Sequence, residues 1–516
     1  MHLGVSLIPV LRWPGTASYG QQSFFCSWPD ERNFPSNRGE VFTKMMRARI
    51  LILLLLLSAL PFYGQKAPPL PDKTWPVSGD SRFRAELAET SARLAMLDPN
   101  TVYSLPDLVD IAERGNPETR VVWERAKERA AAVGLARSAL FPTLAAMASA
   151  SINQYSLFFG RFYHEDTTLF PASLNLAYTV LDFGARGARI DLAKARLLAA
   201  DFTFNDTHRN IVFNVAEAYY RLLDAMGREE AARATLTDAE TLRQAVEARL
   251  ANGLATLPDA LEARAASAQA RYEMASIQGL EETAHGVLAT VLGVSPAVPF
   301  RIQDVSGVPV PKTIDEPVQT VMERALAQRP DLMAQVANVV ATDAAIRQAR
   351  SAYNPVLTFS GSWGHTNAIG EQKLDPEVHS AIYPYQAQLT LSWNIFDGGA
   401  RQSEATRAAS EKREAQAQVM ASRDEIENEI WTSYSKLKTA QAQQEAADAL
   451  LEAANLSYSA AMEAFRAGVR TFIDVTSAQR DLARARTAQV TARVQFLTSM
   501  ADLAFRTGDS IPAAQH

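Results

Sequence analysis

Two proline-free, alanine-rich stretches constrain the fold of this chain more than any other feature. They run from Phe183 to Leu257 and from Gly398 to Ile511, and they are rich in Ala, Leu, Glu, Gln and Arg, which all favour helix. A helix from about Ala185 to Asn252 would be about 100 Å long, at about 1.5 Å per residue. No globular core is that long, so the sequence predicts long helices packed side by side.

An apolar seam follows each stretch at alternating steps of four and three residues. This heptad-like spacing keeps the seam on one face of the helix, and its mostly small side chains let two helices approach closely. The seam comprises Ile211, Val215, Ala218, Leu222 and Ala225 in the first stretch, and Ile426, Ile430, Ser433, Leu437 and Ala440 in the second. We expect both sets to be buried between helices.

The two stretches belong to an internal two-fold sequence repeat. GNPETR at Gly115–Arg120 matches QRPDLM 213 positions later, and ARSALFPTL matches ARSAYNPVL at the same offset. LDFGAR at Leu181–Arg186 matches FDGGAR 215 positions later. Because the offset changes by two between Pro142 and Asp182, a loop of variable length is predicted between them.

Four segments alternate apolar and polar residues, as strands do. We predict strands at about 143–154, 172–182, 356–366 and 385–396, and their polar faces carry no charge. Membrane strands need about 9–11 residues, which these segments supply. The intervening QYSLFFGRFYHEDTTLF and HTNAIGEQKLDPEVHSAIYP are predicted to be extracellular loops. A soluble, half-buried sheet would alternate too and is the alternative interpretation.

Four strands are too few to close a membrane barrel. Open edges in lipid would leave backbone groups unpaired, which hydrocarbon does not tolerate. Several copies of the chain must therefore share one barrel. Two copies would give eight strands with a filled interior, and three would give twelve, enough for a water-filled bore.

Short polar motifs mark the places where the chain turns. Asp182 and Asp397 follow a strand directly and are predicted to cap the long helices, while Gly184, Gly398 and Gly399 permit the bend.

The far ends of the long helices carry a second set of turn signals. Gly253 and Gly468 suit the position after a helix end, where a positive φ is needed. TLPD at Thr256–Asp259 and TFID at Thr471–Asp474 follow as capping boxes. We therefore expect two long helical hairpins.

An apolar run near the start divides the chain. KMMRARILILLLLLSALPFYGQ has the basic flank and short apolar core of a secretory signal.

A Pro-rich stretch, GVSPAVPFRIQDVSGVPVPKTIDEP, separates the two repeats and is expected to form a belt around the middle of the helices. The predicted order is a doubtful extension (1–44), the signal (45–65), a Pro-rich periplasmic segment (66–101), the first repeat (102–292), an equatorial linker (293–322), the second repeat (323–507) and a tail (508–516). Each repeat is predicted to have one short helix, then two strands, then a long helical hairpin.

Several classes of function are excluded. The chain has one cysteine, Cys26, and a formal net charge of −6, so neither a disulfide framework nor a basic nucleic-acid surface is expected. The sequence has no nucleophile motif, metal-ligand spacing or phosphate-binding glycine loop. We therefore expect no catalytic residue, metal, cofactor or enzymatic activity. A transport duct is predicted, with an extracytoplasmic coiled-coil scaffold or adhesin as the alternative.

These features together resemble the TolC-like outer membrane efflux protein family. The resemblance covers about Tyr103–Arg506 and is carried by YSLPDLVDIAERGNPETR, the two strand-to-helix turns, FRAGVRTFIDV and the duplication. It implies an α+β membrane protein: a homotrimer whose twelve-stranded β-barrel, four strands per protomer, crosses the outer membrane lipid and continues as a long α-helical barrel in the periplasm. It also implies docking to a periplasmic adaptor and an inner membrane pump, for export of drugs, small molecules or proteins.

The resemblance also assigns roles at the tips of the helical hairpins. Asp474 matches an aspartate of a ring at the periplasmic aperture, and Arg470 matches an arginine that ties the second hairpin shut. Asp259 matches that arginine's carboxylate partner. Phe465 stands where the family can have a tyrosine that bonds across the tip, and Ser477 where a second ring acid can lie. That bond is therefore expected to be missing, and cation trapping to be weaker.

Overall fold

The computed structural model describes residues 97–158, 162–304, 316–372 and 375–508, together with residue 85. The chain divides into two units, Met1–Thr90 and Ser91–His516, and the architecture below is that of the second. The predicted extension and signal segment lie outside the described residues, as does the tail beyond residue 508.

Both halves of the described chain have the same order of elements. Each has a two-residue strand, two short helices of 11 and 22 residues, a strand region, and a long helix of 67 residues. The returning helices have 35 and 36 residues. The first half contains β1 (Val102–Tyr103), α1 (Leu105–Gly115), α2 (Pro117–Ser138), β2 (Thr143–Ala148), β3 (Ser151–Phe158), β4 (Phe162–Leu181), α3 (Ala185–Ala251) and α4 (Leu257–Val291). The second contains β5 (Arg301–Ile302), α5 (Val318–Gln328), α6 (Pro330–Ser351), β6 (Val356–Gln372), β7 (Asp375–Ile382), β8 (Tyr385–Ser392), α7 (Ala400–Arg466) and α8 (Phe472–Thr507).

Each half has two short helices before its strands, where the sequence predicted one. The break falls at Asn116 and at Arg329, whose backbones are extended. Each precedes a proline, and a residue before proline is sterically excluded from helical geometry. The second pair begins with α5 at Val318, inside the segment predicted as linker.

One six-stranded sheet joins the two halves through an antiparallel pairing of β4 with β6. Strands β2 and β3 both pair with β4, and strands β7 and β8 both pair with β6. Each edge of the sheet is thus one strand path with a break. Together with the continuous strands β4 and β6, the described chain supplies four strand paths.

Prolines account for both breaks. Pro171, inside β4, has no N–H to give to the edge strand, although its carbonyl accepts a hydrogen bond of 3.0 Å from the Ser149 amide. Pro384 lies between β7 and β8, and its carbonyl accepts a hydrogen bond of 2.9 Å from the Gly364 amide.

The two segments predicted to be extracellular loops are largely strand in the structure. Strand β4 already begins at Phe162 and β6 continues to Gln372, with Glu165 opposite Gln372 in the ladder. The alternation of apolar and polar residues stops before the strands end. An antiparallel ladder is made of backbone hydrogen bonds, so it can extend beyond the alternating side chains. At the other end, β8 stops at Ser392, four residues before the predicted end at 396.

Helix α3 lies at the centre of the helical region, where α1, α2, α4, α6 and α8 pack on it. The predicted seams are buried as expected, with exposed fractions of at most 7% on α3 and 3% on α7. The largest core cluster surrounds Tyr219 and Leu223 of α3 and includes Phe300 and Ile302 from the start of the Pro-rich stretch. Strand β5 in that stretch pairs in parallel with β1, so the described part of the belt packs against the middle of α3.

The close approach of β6 to β4 gives a test of the sheet. A methyl group on Gly364 would lie 2.8 Å from the Ala172 carbonyl oxygen, whereas one on Gly361 of the same strand has no neighbour nearer than 3.7 Å. We expect Gly364→Ala to destabilise the folded protein by about 1–3 kcal/mol through overpacking. Gly361→Ala, the matched control, should be neutral.

Thermal unfolding followed by circular dichroism measures both variants. Equal melting temperatures for Gly364→Ala and Gly361→Ala would contradict the β4–β6 register.

Candidate functional site

The tips of the two helical hairpins carry the residues that the sequence analysis assigned to the tip turns and to the periplasmic aperture. Gly253 and Gly468 follow the ends of α3 and α7 and have φ values of 72° and 77°, as expected. The residue after each glycine donates its amide back into the helix: Leu254 to the Arg249 carbonyl and Val469 to the Ala464 carbonyl, both at 2.8 Å. These bonds satisfy carbonyls that a helix end leaves open and reverse the chain tightly.

Capping boxes begin both returning helices. The Thr256 amide donates to the Asp259 carboxylate at 3.0 Å, and the Asp259 amide donates to the Thr256 hydroxyl at 3.4 Å. Thr471 and Asp474 repeat the arrangement at 3.1 and 3.4 Å. Hydrogen bonds from the threonine hydroxyls, and then from the threonine amides, hold the pKa of both carboxyls below their ordinary value.

An apolar cluster lies beneath the tips and joins the two hairpins. Phe465 is buried within it and meets Phe472 edge to face, with ring centroids 6.5 Å apart. The cluster contains Leu242 and Val246 from α3, Ala260 and Ala263 from α4, Ala461, Met462 and Phe465 from α7, and Phe472, Val475 and Ala478 from α8. Phe465, predicted to mark the aperture, is therefore part of a core within one chain.

The expected link between Arg470 and Asp259 does not form within the chain. Among the described residues, neither side chain takes part in an ion pair within 4.0 Å, and the Asp259 carboxylate is held by Thr256. Arg470 is exposed and acts on its own hairpin, where its charge further lowers the pKa of Asp474.

Arg249, a tip residue that the sequence analysis missed, joins the two hairpins. Its Nη1 donates to the Phe465 carbonyl at 2.7 Å, and its guanidinium carbon lies 4.6 Å from the centroid of the Phe465 ring. A basic residue in the last turn before Gly253 was a local signal, since cations are favoured at helix C-termini. Its partner is 216 residues away and could not be read from the sequence.

The strand-to-helix turns correct the predicted caps. The N-cap residues are Gly184 and Gly399, with φ values of 95° and 87°, and not Asp182 and Asp397. The aspartates lie two residues earlier and still accept the second helical amide, Asp182 from Arg186 at 2.8 Å.

Each of these aspartates also binds an arginine side chain that the sequence analysis missed. Arg186 Nε donates to Asp182 at 2.9 Å, and Arg401 Nε donates to Asp397 at 2.7 Å. The same arginines donate to the Val180 carbonyl in β4 and to the Ile395 carbonyl, three residues after the end of β8. In each turn, the arginine therefore links the aspartate to the chain just before the turn, and this holds the strand and the long helix at a fixed angle.

Phe183 shows the cost of this turn in the first half. Its φ is 49°, in the left-handed region, where the second half has Gly398 with φ 67°. A side chain is strained there and glycine is not.

A charged network ties the second half together where α6, α7 and α8 meet. Arg329 forms a bidentate pair with Asp331 at 2.6 and 3.1 Å and a third hydrogen bond with Glu429 at 2.8 Å. Glu429 also pairs with Arg506 at 2.7 Å, and Arg506 with Asp502 at 3.3 Å. Burial acts to raise the pKa of Asp331, but the pair with Arg329 outweighs it and the pKa lies below its ordinary value.

The first half has different chemistry at these positions. Asn116 stands in place of Arg329, and Val287 and Val291 stand in place of Asp502 and Arg506.

The described residues contain no helix long and apolar enough to cross a membrane. They also contain no cluster of three His, Cys, Asp or Glu side chains that could hold a metal ion.

Comparison with known proteins places the chain in a family. The outer membrane efflux protein profile matches it twice, over residues 108–294 and 321–509. Protein CyaE of Bordetella pertussis is 30% identical over 452 residues, covering 87% of this chain and 89% of CyaE. Alkaline protease secretion protein AprF of Pseudomonas aeruginosa is 24% identical over 355 residues, covering 66% and 70%. The solved outer-membrane channel OprN has the same fold, with a TM-score of 0.70 and 21% identity over 87% of this chain and 99% of OprN.

The chain thus belongs to the outer membrane efflux protein family. It is an export channel of the outer membrane, with its helical part in the periplasm.

The capping boxes make the pH response of the tips predictable. Because the pKa values of Asp259 and Asp474 are lower in the folded state, their stabilisation is complete above the unfolded pKa and is lost as the pH falls through the folded pKa. We expect exchange of the Thr256, Asp259, Thr471 and Asp474 amides, corrected for intrinsic rates, to be constant from about pH 5 to 8 and to rise only below about pH 4. Fraying that begins near pH 6 would contradict this assignment.

Proposed function

We propose that three copies of the chain form one twelve-stranded barrel, continued by a helical tunnel in the periplasm. The sheet supports this. In the described chain, β2 and β3 pair only with β4, and β7 and β8 pair only with β6, so both edges of the sheet are open. Pairing one copy's first edge with the next copy's last edge would close the ring and leave no backbone group unpaired in lipid.

The side chains of the sheet fit a lipid exterior and a polar interior. One face exposes large apolar residues, among them Leu174, Trp363 and Leu389, with exposed fractions of 42%, 61% and 62%. Within the four predicted membrane segments, the opposite face carries hydroxyl and amide groups without charge, such as Gln386 hydrogen-bonded to Gln388. Such a lumen would pass solutes of either charge, so we place selectivity elsewhere, at the helical tips.

The helices support the same ring. Short helix α6 packs against both α3 and α7, whereas within the described chain its counterpart α2 packs mainly against α3. One face of α2 exposes Val121 and Leu135, with exposed fractions of 48% and 76%. If the halves are duplicates, this face of α2 packs against α7 of the neighbouring copy, just as α6 packs against α3 within one chain.

We infer that the chain arose by duplication, with repeats at about 102–292 and 323–507. The double match to one family profile and the equal helix lengths support this inference. Three such chains would then form a ring with approximate six-fold symmetry.

The proposed partners are a periplasmic adaptor and an inner membrane pump, which membership of the outer membrane efflux protein family supports. The cargo ranges from small molecules and drugs to proteins. Protein cargo is included because the relative AprF is named for secretion of a protease.

The tips, with Asp259, Phe465, Arg470 and Asp474, form the proposed periplasmic aperture. Around a three-fold axis, Asp474 would form a ring of negative charge. Arg470, which has no carboxylate partner within the described chain, could reach one on the neighbouring copy, such as Asp259.

Single-channel current in planar bilayers tests this proposal on wild type, Asp474→Asn and Arg470→Ala. Asn keeps an oxygen that can accept the capping hydrogen bond, so the first change removes mainly charge. We expect wild type to conduct and to favour cations, and Asp474→Asn to reduce that preference. Arg470→Ala should raise the open fraction by up to about fivefold, since an exposed pair contributes about 1 kcal/mol or less. Folded protein without current in any variant would contradict the duct.

A further inference from the structure

We propose that Arg249 is a gating residue that holds the second hairpin against the first within each chain. We call the contact of the Arg249 guanidinium with the Phe465 carbonyl and ring the tip brace. This inference rests on the proposed aperture at the tips.

The brace joins two helices that are not neighbours along their length. Helix α8 is the element of the second hairpin that packs along α3. Arg249, in the last turn of α3, reaches the end of α7 and donates to the Phe465 carbonyl at 2.7 Å. One side chain thus links the first hairpin to the far helix of the second.

The chemistry of the contact favours an arginine. The Phe465 carbonyl already accepts a bond of 3.0 Å from the Gly468 amide, and its second lone pair takes Arg249. The guanidinium also lies at the C-terminus of α7, where the helix dipole is negative, and 4.6 Å from the Phe465 ring centroid. Hydrogen bond, dipole and ring attraction all act on the same group.

Arg249 has no competing carboxylate. Among the described residues it forms no ion pair, whereas Arg243 and Arg264 nearby both pair with Glu247 at 2.8 and 2.7 Å. Its Nε is buried without a hydrogen-bond partner. The position of the guanidinium is therefore set by the second hairpin and not by its own.

Any widening of the tip that moves α7 away from α3 breaks the brace. Both contacts involve the same two residues, so the hydrogen bond and the ring contact are lost together. The aromatic ring at Phe465 has no hydroxyl with which to bond across the tip, and the backbone carbonyl of the same residue supplies the acceptor instead. Closure would then depend on a contact inside each chain as well as on any contact between chains.

The test compares Arg249→Ala, Arg249→Lys and Arg264→Ala in planar bilayers. Arg264→Ala is the matched control because it removes the same charge from the same hairpin but breaks only an α3–α4 contact. We expect Arg249→Ala to raise the open fraction about tenfold, as loss of a hydrogen bond to a charged group would. Arg249→Lys should give a smaller rise, since lysine can donate but has no planar group for the ring, and Arg264→Ala should match wild type.

Hydrogen exchange on the same proteins gives a readout that does not depend on conduction. We expect Arg249→Ala to deprotect the last turn of α7 and Arg264→Ala to leave it unchanged. Unchanged exchange at α7 in Arg249→Ala would overturn the brace, whether or not current is seen. Deprotection of α7 without current in any variant would leave the brace in place and contradict the duct instead. Equal open fractions for Arg249→Ala and Arg264→Ala in a conducting channel would overturn the gating role.

Discussion

The requirement that every backbone polar group in lipid find a partner governs the rest of this structure. A sheet of four strand paths has two edges, and neither edge is covered in the described chain. Hydrocarbon gives such an edge no water to bind. In our account the edges are completed by other copies of the chain. That choice sets the position of each long helix, because the ion-paired turns at Asp182 and Asp397 join the two long helices to the strands that precede them.

The two halves share a skeleton but differ in chemistry. Around Tyr219, apolar side chains from α1, α4 and α8 pack on α3. In the second half, Arg329 and Arg506 stand in place of Asn116 and Val291, and both pair with Glu429 beside an apolar cluster of its own. Apolar packing has no directional requirement, whereas paired charges need their partners in place. The tips differ likewise, since Arg249 at the end of α3 has Ala464 as its counterpart at the end of α7.

Local patterns predicted much of this architecture. The seam from Ile211 to Ala225, the glycine turns at Gly253 and Gly468, and the capping boxes each depend on residues a few positions apart, and the structure has all of them. The predicted cap at Asp182 was wrong because the left-handed backbone of Phe183 cannot be read from its side chain. The tip brace and the Arg329 network join residues that are distant in sequence, so no local pattern reveals them.

Native mass spectrometry of the protein extracted intact from outer membranes tests the central claim most directly. It counts the chains that share one barrel without assuming any transport activity. The account predicts a complex of three chains that survives extraction, because separation would expose the sheet edges. A stable, folded species of one or two chains would contradict it, since four or eight strands would then have to satisfy every edge.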